Sequence, residues 1–115
     1  MAFRMRYRQN RTHFAGGMLA SAGGGSRTFA PEEIAFDPLR RWRSPRSGAE
    51  YPIAMRVRAG TMRFELAPLM DDQELDALMS TGTIYWEGAA RALADGGETG
   101  RGYLELTGYW KPMRL

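Results

Sequence analysis

The chain opens with a strict alternation of apolar and basic residues. The apolar positions are Met1, Phe3, Met5 and Tyr7, and the basic positions are Arg4, Arg6 and Arg8. A period of two residues is typical of a half-buried β-strand, because successive side chains of a strand point to opposite faces. The pattern starts on the first residue with no turn before it, so we expect the natural polypeptide to extend further upstream.

Two β-hairpins are predicted in the second half of the chain. Each consists of two alternating runs around a glycine-containing turn. The runs and turns are Ile53–Val57 and Met62–Leu66 around Ala59-Gly60, and Thr83–Leu93 and Gly102–Tyr109 around Asp95-Gly96-Gly97. The second pair is rich in the Tyr, Trp, Thr and Ile residues that favour strands.

The remaining segments carry weaker patterns. They are Phe14–Ser21 (a strand, then a turn at Gly23-Gly24-Gly25), Thr28–Pro38 (a strand), Trp42–Pro52 (a loop between two sheet regions) and Met70–Met79 (a short helix). Pro31-Glu32-Glu33 could instead open a helical turn, and Met70–Met79 is almost as compatible with a loop. The acidic first turn of Asp71, Asp72 and Glu74 is what favours the helix.

Six or seven short strands with abundant glycine predict an all-β fold. We expect one antiparallel domain over residues 1–115, closed as a barrel or strongly curved, with at most one short helix. The 115 residues are 43% hydrophobic and 11% aromatic, which is enough for a core. No apolar run is long enough to cross a membrane, and no secretory signal precedes the first strand.

Charge is distributed unevenly along the chain. Residues 1–46 hold nine Arg and three acids, whereas residues 47–115 hold seven basic residues and ten acids. Only one of the sixteen basic residues is Lys, and the Arg alternate with apolar residues instead of clustering, so nucleic-acid binding is not predicted. The chain has no Cys, which excludes disulfides, thiolate metal sites and Cys nucleophiles and leaves the compartment open.

Two motifs near the C-terminus carry a family resemblance. Tyr85-Trp86-Glu87-Gly88-Ala89 and Gly100–Tyr109 resemble the closing motifs of the lipocalin-like (AttH-like) family that includes hydroxyneurosporene synthase, the carotenoid 1,2-hydratase. Upstream, Trp42, Ser44-Pro45, Gly48 and Tyr51-Pro52 are similar to a loop of that family, and Met1–Arg8 resembles one of its strands. The resemblance covers nearly the whole chain.

The resemblance implies a bacterial protein of two consecutive lipocalin-like domains, of which this chain is most of the second. In the hydratase branch, a His-X-Trp motif and an aspartate are associated with water addition. This chain has no such motif, because its one histidine, His13, is followed by Phe14-Ala15. Hydratase chemistry would therefore need the missing N-terminal part, whose export or periplasmic location stays open.

Glu87 and Tyr85 are the candidate catalytic residues. A carboxylate flanked by aromatic residues loses water, which favours its protonated form and suits it to general-acid duty towards an alkene. The alternative is structural: Glu87 forms an ion pair with Arg101 or Arg91 across the terminal hairpin.

Aromatic residues are the candidate ligand-binding set, because they could stack on a polyene or lipid. The set, with one basic residue, is Trp42, Trp86, Tyr103, Tyr109 and Arg101. Core packing explains the aromatic residues equally well. No cofactor or metal is predicted, since His13 has no partner at ligand spacing and Asp71–Asp76 lacks the pattern of a calcium loop, which favours a solvated acidic turn.

The leading hypothesis is a lipocalin-like domain that binds or helps to enclose an apolar isoprenoid, carotenoid or lipid-like ligand and is catalytically incomplete alone. Its expected partners are the missing N-terminal lipocalin-like domain, the apolar ligand and, through exposed sheet edges, a second copy. One alternative is a carotenoid or isoprenoid 1,2-hydratase, a hydro-lyase, in the full-length form. A second is a purely structural or interaction domain.

Overall fold

The computed structural model describes residues 1–114, which form nine β-strands and one short 3-10 segment. The strands are β1 (Ala2–Arg6), β2 (Thr12–Ala20), β3 (Ser26–Phe29), β4 (Ile34–Arg43), β5 (Glu50–Ala59), β6 (Met62–Pro68), β7 (Glu74–Ala77), β8 (Thr83–Ala94) and β9 (Gly97–Leu106). One sheet has the order β1-β2-β3, and the other has the order β4-β5-β6-β8-β7 with β9 also paired to β8. The predicted all-β, antiparallel class is confirmed, and among residues 1–114 the strands form open sheets and no closed barrel.

The described chain separates into two compact units. The first comprises Met1–Asp37 with Arg56–Phe64, and the second comprises Pro38–Met55 with the residues from Glu65 onward. The first unit has a small core of Ala15, Phe29, Ile34 and Ala59, with Ala2 and Phe36 packed against it.

Strand β1 turns its Ala2 and Arg4 side towards this core, whereas the alternation suggests that the apolar side with Phe3 is the buried one. Ala2 contacts the core, and the Arg4 guanidinium lies 5.7 Å from the centre of the Phe36 ring. The apolar side of β1 is turned outward, where Phe3 is 38% exposed. The long arginine stem can cover apolar surface while its charge stays near water, so an arginine is compatible with the inner side.

Strand β8 is the centre of the second unit. Along one edge it pairs first with β7 and then with β6, and along the other edge it pairs with β9 from Trp86 to Ala94. The β8–β9 turn has Asp95 at φ 51° and Gly96 at φ 80°, the left-handed geometry that two-residue hairpins prefer. The predicted terminal hairpin is therefore confirmed, and the other predicted hairpin is confirmed by the pairing of β5 with β6.

A glutamine side chain fills the gap between β7 and β6 on the edge of β8. The Gln73 amide accepts a hydrogen bond from the backbone N–H of Ala89 (3.0 Å) and donates to the carbonyl of Ala89 (3.2 Å). A Cβ at residue 88 would lie 2.1 Å from the Gln73 side chain. Gly88 is thus required by the side chain that replaces a strand at this point.

Three segment predictions need correction. The loop predicted over Trp42–Pro52 is confined to residues 44–49, because β4 runs to Arg43 and β5 begins at Glu50. The extended geometry that proline imposes on Tyr51 suits a strand as well as a loop. Met70–Met79 holds strand β7 and no helix, because its edge pairs with β8 and a short isolated helix would be costly to nucleate. The strand predicted over Thr28–Pro38 is interrupted at Pro31–Glu33 by a 3-10 turn, which is the alternative that the sequence left open for these residues; there Glu33 accepts a hydrogen bond from the Ala30 N–H.

Candidate functional site

Strand β8 presents two chemically different faces. Ile84 and Trp86 are buried, whereas Thr83, Tyr85 and Glu87 between them are partly exposed. This follows from the period of two residues, since one face packs on the core of the second unit. The two predicted catalytic residues therefore lie on the same, accessible face.

Glu87 lies directly opposite another carboxylate. The β8–β9 register pairs Glu87 with Glu105, and like charges at directly opposed positions of a sheet destabilise the pair. The Thr107 hydroxyl donates a hydrogen bond to Glu105 Oε1 at 3.0 Å. The two carboxylates lie in an open groove of about 290 Å³ whose lining is Thr81, Thr83, Tyr85, Glu87, Glu105 and Thr107.

Tyr103 stands next to this groove. Its register partner is Ala89, one position along the same face from Glu87. Loss of water around the phenol, the negative charge of Glu87 and a hydrogen bond with that carboxylate raise the pKa of Tyr103 above its ordinary value. Its ring is still 69% exposed, so a bound molecule could cover an aromatic surface here.

The arginines considered as partners of Glu87 have other neighbours. Arg91 is paired with Arg101 in the β8–β9 register, and Arg101 Nε donates to Glu98 Oε1 at 3.0 Å. Arg101 therefore lies further along the hairpin than the groove.

The other predicted ligand-binding aromatics lie away from the groove. Trp86 is fully buried on the opposite face of β8, and its indole N–H donates to the carbonyl of Asp71 at 2.7 Å. Trp42 stacks on Tyr51 at 6.3 Å between ring centres, and Tyr109 lies 5.9 Å from the same ring. The structure thus places Tyr85, Glu87 and Tyr103 together and gives Trp42, Trp86 and Tyr109 packing partners instead.

A buried carboxylate that the sequence did not single out as a site lies in the same unit. The Glu74 side chain is 3% exposed and accepts hydrogen bonds from Ser44 Oγ (2.6 Å), Ser47 Oγ (2.6 Å) and the Tyr51 hydroxyl (2.8 Å). Burial and the Glu74 carboxylate raise the pKa of Tyr51. Arg46 Nη2 lies 3.5 Å from Glu74, so a guanidinium adds to the three hydroxyl donors of this carboxylate.

The neighbouring acids are also paired, which corrects the interpretation of Asp71–Asp76 as a solvated acidic turn. Arg40 binds both carboxylate oxygens of Asp71, at 2.7 and 2.9 Å, and Arg46 binds both of Asp72, at 2.6 Å each. These arginines lower the pKa of both carboxyls. The sequence signal for this buried network was the Ser44-Pro45 to Tyr51-Pro52 motif, because its hydroxyl groups need a hydrogen-bond acceptor once they are buried.

Residues 1–114 contain no group of three or more His, Cys, Asp or Glu side chains placed to hold a metal ion. No helix in that part of the chain has the length and apolar character needed to cross a bilayer.

Comparison with known proteins gives one family and one informative structure. The profile described as AttH-like matches residues 1–109. The crystal structure of an AttH candidate from Nitrosomonas europaea is 48% identical in sequence and superposes with a TM-score of 0.89 over 95% of this chain. The match spans 34% of the Nitrosomonas chain, so this sequence corresponds to about a third of that protein. A comparison with curated proteins gave no match.

Proposed function

Because this chain belongs to the AttH-like family, whose members have a lipocalin-like fold, we propose that it is a lipocalin-like β-domain that helps to enclose an apolar ligand of isoprenoid, carotenoid or lipid-like type. The observation that carries the proposal is the groove on β8 and β9, where Tyr85, Glu87 and Glu105 share one accessible face. Concave sites with apolar walls and few polar groups are the usual form of small-molecule sites.

The groove favours a ligand with a polar end. The Tyr85 ring and the threonine methyl groups offer apolar surface, whereas Glu87 and Glu105 would lose water under a pure hydrocarbon at a cost of several kcal/mol. A ligand hydroxyl that donates a hydrogen bond to either carboxylate offsets that cost. We therefore expect an isoprenoid or fatty alcohol to bind more tightly than the matching hydrocarbon.

The groove is open along its length, so this chain covers only one side of a ligand. Enclosure would need further polypeptide, and the Nitrosomonas relative has a chain of which this region is about a third. A second lipocalin-like domain N-terminal to this one is our proposal for that cover.

A hydratase in the longer polypeptide is the second candidate, and the Glu87–Glu105 pair favours it. Protonated Glu87 would transfer its proton to one alkene carbon, leaving a carbocation on the other. The Glu105 carboxylate would take a proton from the water that attacks this cation, so that one water is added overall. Hydration of this kind needs a group that gives a proton and a group that takes one, and the β8–β9 register supplies two carboxylates directly opposite each other.

Ligand binding is tested with all-trans-retinol, a fluorescent isoprenoid alcohol. We expect retinol to bind the 115-residue chain, and we expect Tyr85→Ala and Tyr103→Ala each to weaken binding about tenfold, since each removes an aromatic contact worth about 1.4 kcal/mol. Tyr7→Ala, which removes a half-exposed tyrosine from the first unit, is the control. Equal affinity in all three variants would place the ligand elsewhere, and no binding would favour a structural domain.

Hydration is tested separately with the longer polypeptide and an acyclic isoprenoid alkene in ¹⁸O-labelled water. A product that contains one labelled oxygen and disappears in Glu87→Gln and Glu105→Gln supports the hydratase. Retinol binding without any labelled product leaves the binding domain as the better description.

A further inference from the structure

The outer face of β1 and β2 is apolar and exposed. Phe14, Gly16 and Met18 occupy every second position of β2, and Phe3 of β1 is the register partner of Gly16, so these four residues share one face of the sheet. Phe3 and Phe14 contact each other at 5.6 Å between ring centres. Phe14 is 52% exposed and Met18 is 47% exposed. Adjacent large apolar side chains on one surface mark an interaction site more often than scattered ones do.

The turn that joins these two strands is basic. The Tyr7 N–H donates a hydrogen bond to the carbonyl of Arg11 (2.9 Å) and the Asn10 N–H donates one to the carbonyl of Tyr7 (3.0 Å), which closes the turn and leaves Arg8 and Arg11 exposed at its tip. The Arg11 guanidinium lies 4.9 Å from the centre of the Tyr7 ring, a contact that does not neutralise its charge. Arg6 is bound to Asn10, so the charge offered to a partner is that of Arg8 and Arg11.

No acidic residue of the same segment balances this charge. Residues 1–31 contain five Arg and no Asp or Glu, and the first acid along the chain is Glu32. A second copy of the surface would bring arginines against arginines, and like charges across an interface disfavour association. The partner that matches this surface therefore carries negative charge.

An anionic lipid bilayer matches both the charge and the apolar face. Its phosphates lie directly above its hydrocarbon region, so arginines beside exposed apolar side chains can bind both layers at once. At a rise of about 3.3 Å per residue, Tyr7 lies only ~13 Å along the chain from Phe3, so the basic turn and the apolar face can reach one patch of membrane. A dissolved polyanion such as a nucleic acid would pair with the arginines and leave Phe14 and Met18 in water.

We propose that this hairpin binds the surface of an anionic lipid bilayer. Phe3, Phe14 and Met18 enter the boundary between headgroups and acyl chains, and Arg8 and Arg11 contact lipid phosphates. Binding of this kind combines buried apolar area with electrostatic attraction and needs no membrane-spanning element. The proposal does not depend on the ligand groove of the second unit, and either can fail without the other.

Cosedimentation of the full 115-residue chain with lipid vesicles tests the charge contribution. We expect vesicles of equal parts phosphatidylcholine and phosphatidylglycerol to bind the chain at least about tenfold more tightly than phosphatidylcholine alone, with the difference reduced by added salt. Arg8→Ala and Arg11→Ala should each weaken this binding by about fivefold, because each removes one basic group from the anionic surface. Arg91→Ala, at an exposed arginine of β8 in the second unit, is the matched control and should bind like the parent.

The apolar contribution is tested at two positions, because Phe14 also packs on Phe3 whereas Met18 offers a variant outside that ring contact. Phe14→Thr and Met18→Thr keep a residue that favours strands. Each should weaken binding by up to about tenfold, the change expected when half of a large apolar side chain no longer leaves water. Phe14→Trp keeps the apolar surface, so it should bind like the parent, and brominated acyl chains should quench the fluorescence of the added tryptophan. Circular dichroism checks the fold of each variant.

Four results would overturn the proposal. Equal binding to neutral and anionic vesicles would remove the charge argument, and unchanged binding by both threonine variants would show that the apolar face does not enter the bilayer. Binding of a DNA duplex without binding to vesicles would make a dissolved polyanion the partner. Dimerisation in ultracentrifugation that Phe14→Thr abolishes, without binding to vesicles, would make a second copy the occupant.

Discussion

The buried Glu74 carboxylate is the most sensitive test of the packing described above. Oε1 accepts a hydrogen bond from Ser44, and Oε2 accepts hydrogen bonds from Ser47 and Tyr51. In Glu74→Gln, one oxygen becomes an amide NH₂ that cannot accept. Ser44 Oγ already accepts from the backbone N–H groups of Arg46 and Ser47, both at 3.2 Å, so it has little capacity for another donor.

The expected cost follows from the lost bond. A hydrogen bond to a charged group contributes about 1.5–3 kcal/mol net, and Glu74→Gln loses at least one such bond together with the attraction of Arg46. We expect the free energy of unfolding to fall by about 2–3 kcal/mol. For a chain of this size that corresponds to roughly 8–15 °C in Tm.

Urea denaturation followed by tryptophan fluorescence measures this change, because Trp42 stacks on the Tyr51 ring that Glu74 binds. Glu98→Gln, at a half-exposed carboxylate on the terminal hairpin, is the matched control and should change stability by less than about 0.5 kcal/mol. An unfolding free energy for Glu74→Gln within 0.5 kcal/mol of the parent would refute the reasoning that this network holds the β4–β5 turn.

Four further outcomes are expected. Tyr51→Phe should lose less stability than the parent chain between pH 8 and pH 11, as measured by urea midpoints. The raised folded pKa of Tyr51 gives the parent a stability that is complete below pH 10 and is lost as pH rises through that pKa. Gly88→Ala should cost ~1–3 kcal/mol by displacing the amide of Gln73, and a double-mutant cycle with Gln73→Ala should show coupling above ~0.5 kcal/mol. Glu105→Gln should raise the free energy of unfolding by ~0.2–1 kcal/mol, seen as a higher thermal midpoint, because it removes one charge of a like-charge pair. Asp72→Asn should lower the free energy of unfolding by less than ~1 kcal/mol at pH 7. This difference from the parent should vanish as pH falls through the lowered folded pKa of Asp72. An equal difference between the unfolding midpoints of variant and parent at pH 7 and at pH 2.5 would contradict this.

Local sequence patterns predicted the hairpins well because both ends of each hairpin are close in the chain. The alternation in Met62–Leu66 and the Asp95-Gly96 turn act within a few residues, so no distant contact has to be known. Sequence reasoning named Tyr85 and Glu87 as candidate catalytic residues without a shared strand face, and their common accessible face became visible only in the structure.

Contacts between elements decided what the patterns within single segments missed. Strand β7 forms because β8 offers an edge and Ser44 and Tyr51 offer hydroxyl donors to Glu74, and these groups lie 23 to 30 residues away. The outward side of β1 is a similar case, because alternation gives two faces without saying which one meets the core. Register explains the Glu87–Glu105 pair, which no single-strand pattern could have shown.

The position of β8 has a consequence for how the second unit opens. Its backbone amides point alternately to its two edges, so those that face β9 are protected by the long β8–β9 ladder and those on the other edge by β7 or β6. Strand β7 has four paired residues and depends on side-chain hydrogen bonds from Ser44 and Tyr51 for much of its attachment. Local opening would therefore release β7 first and expose only the β8 amides that face it. The amides within the β8–β9 ladder would exchange most slowly, and the groove face on these two strands would stay intact.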